Sequence, residues 1–212
     1  MDYFAVRHCG RTSRGGYVHC FEPAPATFPK LQAVLKSHQL QGKAFAINAG
    51  LSDSDGTMEL YINEESSGVN SFYNRRLEGL GITYEKSETV RVTTVDGYCY
   101  ENAIPHIDFL KVDVEGHELA VMRGAAEMLK KQVIDYIQFE YGGCWIDSRT
   151  LFLDMYDFLT SFGYIIGKIM PKGIEFYDNY DQRLETFQMA NFLACKPSLM
   201  GHFKCIKPWW VI

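Results

Sequence analysis

Short apolar strands alternate with amphipathic helices along this chain, and this alternation constrains the fold more than any other feature. Residues 44–47 form a compact apolar run, and in the segment 27–40 before it apolar residues recur at helical spacing. A chain that alternates in this way packs its helices against the faces of a mostly parallel sheet. The sequence therefore predicts an α/β fold of the Rossmann-like type, with a mostly parallel sheet flanked by helices.

The same patterns give approximate positions for the individual elements. Strands are predicted at 16–21, 44–47, 58–62, 90–95, 107–112, 133–141, 164–170 and 187–195. Helices are predicted at 27–40, 118–131 and 150–162. The segment 64–85 is polar and rich in serine, asparagine and glycine, which predicts a loop or lid.

Composition excludes several classes of protein. The 212 residues, 47% of them hydrophobic, are enough for one domain spanning 1–212. The net charge is −5 and no stretch concentrates lysine and arginine, so we expect no nucleic-acid partner. No apolar run approaches the ~20 residues that cross a membrane, and the start does not resemble a signal peptide. The sequence therefore predicts a soluble, cytoplasmic protein. The cysteines have no zinc-type spacing, and no metal is expected.

Three of the predicted strands end in a carboxylate, at Glu22, Asp113 and Glu140. In an open parallel sheet the ligand lies outside the carboxyl ends of the strands. Glu22 follows an early strand, where the two oxygens of a carboxylate match the two vicinal hydroxyls of a ribose. The alternative is a surface glutamate in a loop between strand and helix.

The segment after the strand 107–112 is the densest cluster of polar residues. Asp113, Glu115 and Glu118 place three carboxylates within six residues, and Gly116 permits a positive φ at the turn. Asp113 stands directly at the strand end and is expected to point into the cleft. Glu118 is predicted to lie in the first turn of the next helix, where a negative charge stabilises the helix N-terminus. His117 is a candidate base, and the alternative is a solvated turn histidine.

Beyond these single residues, a longer stretch has a specific resemblance. The segment IDFLKVDVEGHELAVMRGA resembles the central signature of the FkbM-type methyltransferases, in which a strand runs into D-V-E-G-x-E and a helix. In the family's order, YVHCFEPAPATFPKL resembles its F-E-P strand end, INAGLSDSDGTMELY its L-S-D segment, and SSGVNSF its serine-rich stretch. Together these segments cover about 16–197.

The resemblance implies a Rossmann-like fold and S-adenosylmethionine as the cofactor. Many family members methylate hydroxyl groups of sugars or other small molecules, so it implies a small-molecule or glycan acceptor. Glu22 would then hold the cofactor ribose, and Ser52 and Asp53 would lie beside the adenine. Asp113 would face the methionine part or the site of methyl transfer.

The same resemblance implies which residue lies beside the methyl acceptor. Glu140, at the next strand end, would line the acceptor side of the cleft. Transfer to a hydroxyl usually needs a base, and the candidates are Asp113, Glu140 and His117. We expect Glu22, Asp53, Asp113 and Glu140 to line a common cleft.

The N-terminal segment departs from the family pattern. Such proteins normally begin with a strand and a D-x-G-A-N-x-G type turn, but only fifteen residues precede Gly16 and none forms that motif. The sequence therefore predicts an N-terminal truncation with the first strand missing and residues 3–9 as the tail of a helix. A substitute strand at 3–6 is the alternative. Loss of the strand would leave two core strands with unpaired edges and weaken cofactor binding. It would favour the alternative function, a non-catalytic remnant or binding module.

Overall fold

A computed structural model describes residues 4–8, 16–63 and 67–208, with backbone only for 4–8 and residue 67. Its strands are β1 (Phe4–His8), β2 (Tyr17–Phe21), β3 (Ala44–Ile47), β4 (Gly50–Leu51), β5 (Gly56–Ile62), β6 (Lys86–Thr93), β7 (Ile107–Val112), β8 (Ile134–Tyr141), β9 (Ile165–Met170), β10 (Gly173–Tyr177), β11 (Ala190–Cys195) and β12 (Cys205–Ile206). Its helices are α1 (Phe28–Ser37), α2 (Val95–Glu101), α3 (Glu118–Arg123), α4 (Ala126–Lys130), α5 (Cys144–Ser148) and α6 (Phe152–Ser161).

A nine-stranded sheet organises the molecule, in the order β12-β10-β9-β11-β8-β7-β1-β2-β3. Strands β7 and β8 lie near its centre, and their apolar residues Ile107, Leu110, Ile137 and Phe139 are fully buried. Strands β2 and β3 are parallel, as are β7 and β8. Because β1 is antiparallel to both β2 and β7, these four strands all point the same way. Their carboxyl ends define one edge of the sheet, called here the carboxyl edge.

The prediction of a mostly parallel sheet is wrong, because the sheet is mixed. Among the described residues, three pairs of adjacent strands in this sheet are parallel: β2 with β3, β7 with β8, and β10 with β12. Two residues separate β9 from β10, and so short a connection can only join antiparallel strands. Strand β11 is antiparallel to both β8 and β9. The alternating pattern of the sequence locates strands but carries no information on their direction.

The N-terminal truncation stays a prediction, but the place between β2 and β7 that it was expected to leave empty is filled. Strand β1 lies between β2 and β7, so the expected unpaired edges on those strands do not occur. The helical tail expected for 3–9 is a strand over Phe4–His8, and residues 3 and 9 lie outside the described residues. The alternative of a substitute strand is correct in kind. A strand forms at this place because the backbone N–H and C=O groups of β2 and β7 need hydrogen-bond partners.

The direction of β1 matters for the site. Phe4 pairs with Phe21 near the carboxyl edge, and His8 pairs with Tyr17 at the other end. The strand therefore starts at the carboxyl edge and finishes at the opposite edge. The last residue of β1, His8, therefore lies at the edge opposite the cleft.

The helix predicted over 118–131 is interrupted at Gly124, between α3 and α4. A Cβ built on Gly124 would lie 2.0 Å from the backbone oxygen of Ser52. The interruption therefore lets the junction between the two helices approach the turn after β4. The two longest helices have ten residues each, and none in the described part of the chain is long and apolar enough to cross a membrane.

Candidate active site

A small cleft, partly open to solvent, lies at the carboxyl edge. Its walls combine apolar side chains with three carboxylates. The lining residues are Phe21, Glu22, Pro23, Gly50, Leu51, Leu60, Gly68, Asn70, Ser71, Phe72, Asp113, Val114 and Glu115. Neither lysine nor arginine occurs among them, so the cleft is an acidic site with apolar walls.

Glu22 stands at the end of β2, and only 8% of its surface is exposed. Its Oε1 accepts a hydrogen bond from the backbone N–H of Ala24 at 2.8 Å. The side-chain amide of Asn48 donates to the carbonyl oxygens of Glu22 and Pro23, at 2.9 and 3.3 Å. Pro23 has no N–H to continue the ladder, which ends the strand here. These contacts hold the Glu22 carboxylate at the cleft wall.

Asp113 follows directly after β7 and also lines the cleft. Its Oδ2 accepts a hydrogen bond from Lys111 Nζ at 2.5 Å, and both side chains are partly exposed. The lysine balances the charge of the carboxylate without closing it off from the cleft. The structure therefore brings Glu22 and Asp113 together, as expected from the sequence.

The turn after Asp113 has an unusual backbone. Glu115 and Gly116 have φ values of 53° and 102°, in the left-handed region. The buried carboxyl group of Glu118 stabilises this turn, because its Oε1 accepts hydrogen bonds from the N–H groups of Val114 at 3.0 Å and Gly116 at 3.3 Å. A side chain at Gly116 would collide with the backbone oxygen of Cys144, 2.7 Å from the added Cβ. Glu118 thus acts on the backbone of the turn, while Glu115 faces the cleft.

Burial also changes the ionisation of Glu118. It raises the pKa of this carboxyl to about 8, against the lowering effect of the backbone hydrogen bonds. Its Oε2 has no hydrogen-bond partner among the described residues. The group is therefore largely protonated at neutral pH.

His117 is buried, with 4% of its surface exposed, and is not the solvated histidine considered above. Its Nε2 lies 2.9 Å from Ser52 Oγ and its Nδ1 lies 3.0 Å from Tyr73 Oη. Burial lowers the pKa of His117 to about 4, so the ring is neutral at pH 7. The ring of Phe72 lies edge-on to it at 5.0 Å and is itself a cleft wall. His117 therefore lies behind the wall and not in the lining.

The other predicted site residues also lie outside the lining. Ser52 is buried, while Asp53 is exposed and accepts hydrogen bonds from Ser52 Oγ at 3.3 Å and Ser54 Oγ at 3.1 Å. Glu140 is half-buried near the end of β8, paired in register with Asn191 of β11. Ser52 and Asp53 follow the lining residue Leu51 along the chain, whereas Glu140 has no such neighbour, and the roles of all three stay predictions.

Sequence reasoning missed the contacts of residues 70–75, called here the strap. Ser71 Oγ donates a hydrogen bond to the backbone oxygen of Glu115 at 2.8 Å. Arg75 forms ion pairs with Glu115 and Asp147. The segment 64–85 had been predicted as a loop or lid, but nothing local in the sequence connects Arg75 to two acids far along the chain. Only the resemblance of SSGVNSF pointed to this region.

Another missed cluster lies at the opposite edge of the sheet. His106, Asp108 and Asp135 are the one group in the described chain whose ligand atoms lie close enough to hold a metal ion, all within 4.8 Å of one another. His106 Nε2 lies 3.1 Å from Asp135 Oδ1, and Lys196 forms an ion pair with the same carboxylate. The lysine and histidine lower the pKa of Asp135, although burial opposes them. A cation already balances this acid.

An α/β sheet with an acidic cleft at its carboxyl edge is typical of enzymes that bind nucleotide-like cofactors. Comparison with known proteins makes the assignment specific. The family model described as "Methyltransferase FkbM domain" matches residues 2–166, and the chain belongs to this family. That match starts at residue 2 and does not confirm the truncation expected from the sequence.

Two related proteins are similar to this chain over part of their length. Hexuronic acid methyltransferase AglP of Haloferax volcanii is 30% identical over 113 residues, which cover 53% of this chain and 43% of that protein. The crystal structure of methyltransferase FkbM from Methylobacillus flagellatus matches with a TM-score of 0.47 and 14% identity, over 82% of this chain and 36% of that one. The chain thus spans less than half the length of either relative.

Proposed function

We propose that the cleft binds S-adenosylmethionine and that the protein transfers its methyl group to a hydroxyl of a small molecule or glycan. Family membership supports methyl transfer as the reaction class. The observation that carries the proposal for this site is that Glu22 and Asp113, from two different strands, line one cleft at the carboxyl edge.

The chemistry of the lining fits this cofactor. The carboxylate of Glu22 offers two acceptors to the two hydroxyls of a ribose. The carboxylates of the lining favour a ligand that carries the positive charge of a sulfonium, although ion pairs with Lys111 and Arg75 reduce this attraction at Asp113 and Glu115. Phe21, Leu51 and Phe72 offer apolar surface to an adenine ring.

When bound, the cofactor supplies an electrophilic methyl group. The residues of this chain orient the partners, exclude water and accept the proton of the acceptor hydroxyl. Lys111 contacts Oδ2 of Asp113, so we assign proton acceptance to Asp113 Oδ1. Glu140 is proposed for the acceptor side. His117 is a poor candidate for the base, because its ring nitrogens already contact Ser52 and Tyr73 and its pKa is low.

A glycan acceptor is favoured by the similarity to a protein named for hexuronic acid methylation. That relative matches over 113 residues, so the sugar acceptor is the most specific part of the proposal and has the least support. No metal is required in this scheme.

A binding module with the same fold is the second candidate. The direction of β1 favours it, since its last residue, His8, pairs at the edge opposite the cleft. A glycine-rich turn after the first strand, which would approach the cofactor closely, cannot leave β1 at the carboxyl edge. Cofactor binding would then depend on the β2 and β7 strand ends.

Transfer of labelled methyl from S-adenosylmethionine to a panel of neutral sugars and hexuronic acids separates the two candidates. We expect label in at least one sugar with the wild type and with the control Glu101→Gln, an exposed site in α2. Asp113→Asn should abolish transfer while retaining binding of S-adenosylhomocysteine. Binding without transfer to any sugar would favour the binding module. Absence of both would refute the proposal.

A further inference from the structure

We propose that Arg75 is a positioning residue that holds the strap closed over the cleft and fixes Glu115 in the cleft wall. The inference rests on the proposed binding of the cofactor at this cleft. Arg75 lies outside the lining of the cleft, so its effect on cofactor binding is indirect.

Arg75 connects three elements around the cleft. Its side chain is 10% exposed, and its Nη1 pairs with the carboxylate of Glu115 in the turn after β7. Its Nε lies 3.4 Å from Asp147 Oδ2 in α5. A guanidinium presents several N–H groups in a rigid planar fork and keeps its charge at all working pH values. One side chain can therefore bridge the strap to two acids from separate elements.

The strap is also tied at its other end. Ser71 exchanges backbone hydrogen bonds with Tyr61 of β5, at 2.9 and 3.2 Å. Next to it, the Phe72 ring packs against Gly50, and a Cβ added there would lie 2.7 Å from the ring. The start of the strap is therefore held by backbone pairing and packing, whereas its end at Arg75 is held by charge.

Removing the guanidinium would act directly on the cleft. Glu115 lines the cleft and has a left-handed backbone, a conformation that costs a non-glycine residue about 1 kcal/mol or more unless its surroundings enforce it. Loss of Arg75 would remove the positive charge between the carboxylates of Glu115 and Asp147, which are 17% and 21% exposed. Their repulsion would separate the turn, the strap and α5. The Glu115 carboxylate would then lose its fixed place in the cleft wall.

The neighbouring Arg76 provides a matched control, since it carries the same charge and is exposed. We would compare Arg75→Ala, Arg75→Lys and Arg76→Ala by calorimetric titration with S-adenosylhomocysteine and by limited chymotrypsin digestion. Chymotrypsin cuts after Phe72 and Tyr73, and none of the three substitutions replaces either residue. Cleavage rates report local opening of the strap without any ligand.

Arg75→Ala should raise the dissociation constant about tenfold and accelerate cleavage within the strap, with the KM for S-adenosylmethionine rising more than kcat falls. Arg76→Ala should match the wild type. Arg75→Lys should give smaller changes than Arg75→Ala in both assays, because its ammonium keeps the charge but cannot reproduce the planar fork of N–H donors. If Arg75→Ala fails to fold, Asp147→Asn replaces it and should give a smaller change in the same direction.

Values for Arg75→Ala within about twofold of Arg76→Ala in both assays would overturn the inference. A wild type that binds no S-adenosylhomocysteine would contradict the proposed function instead. In that case the digestion still decides whether Arg75 holds the strap.

Discussion

The buried carboxyl of Glu118 should make the stability of this protein depend on pH in a way that one isosteric substitution removes. Its carboxyl lies fully buried behind the cleft turn, and burial raises its pKa from the ordinary 4.5 to about 8. Glu118→Gln retains an oxygen that can accept from the N–H groups of Val114 and Gly116 but cannot ionise. The comparison of the two proteins therefore isolates the ionisation.

The sign follows from the direction of the pKa change. Since the folded pKa is raised, the folded state is favoured at low pH, and this stability is lost as pH rises from about 4.5 to about 8. Each pKa unit is worth about 1.36 kcal/mol, so the wild type should lose roughly 2.5 kcal/mol between pH 5 and pH 7 from this group. Glu118→Gln should not show this loss.

Urea unfolding at pH 5, 6, 7 and 8 gives the free energy of unfolding of both proteins. The difference between wild type and Glu118→Gln should fall steadily with rising pH, while other titrating groups cancel in the subtraction. Glu101→Gln, at an exposed site, should keep a constant difference from the wild type. A difference for Glu118→Gln that stays constant within about 0.5 kcal/mol would show that the group is already ionised when folded.

Other predictions concern the packing around the cleft turn. Gly124→Ala should destabilise the protein by roughly 2 kcal/mol or more in thermal unfolding, because its Cβ would lie 2.0 Å from the Ser52 oxygen. Gly79→Ala, with nothing within 4 Å, should be nearly neutral, and equal effects would refute the packing argument. Tyr73→Phe should cost about 1 kcal/mol by removing the hydrogen bond to His117. Because burial lowers the pKa of His117, this group should contribute a loss of stability as pH falls from 6.5 towards 4, opposite in sign to the Glu118 contribution, and the difference between wild type and His117→Gln should fall over that range.

The parts of the site that could be predicted from the sequence are those set by local order along the chain. A carboxylate that directly follows an apolar strand must lie at the sheet edge where that strand ends. This is why Glu22 and Asp113 were expected together, and the cleft contains both. The positions of eight strands follow from apolar runs in the same way, whereas β1, β4, β10 and β12 are not among the predicted strands.

Other features depend on contacts between distant segments and left no local signal. Strand β1 runs antiparallel because of its pairing with β2 and β7, and five residues carry no direction of their own. His117 looked like a turn residue because its neighbours are polar, yet Phe72 and Tyr73 cover it. The ion pairs of Arg75 join residues 40 and 72 positions apart, beyond the reach of any local pattern.

A calorimetric titration with S-adenosylhomocysteine shows whether the strand-end carboxylates form a cofactor site. We expect saturable binding at a single site, weakened about tenfold or more by Glu22→Gln and unchanged in Glu101→Gln. No binding by the wild type, or equal affinities for wild type and Glu22→Gln, would contradict this expectation.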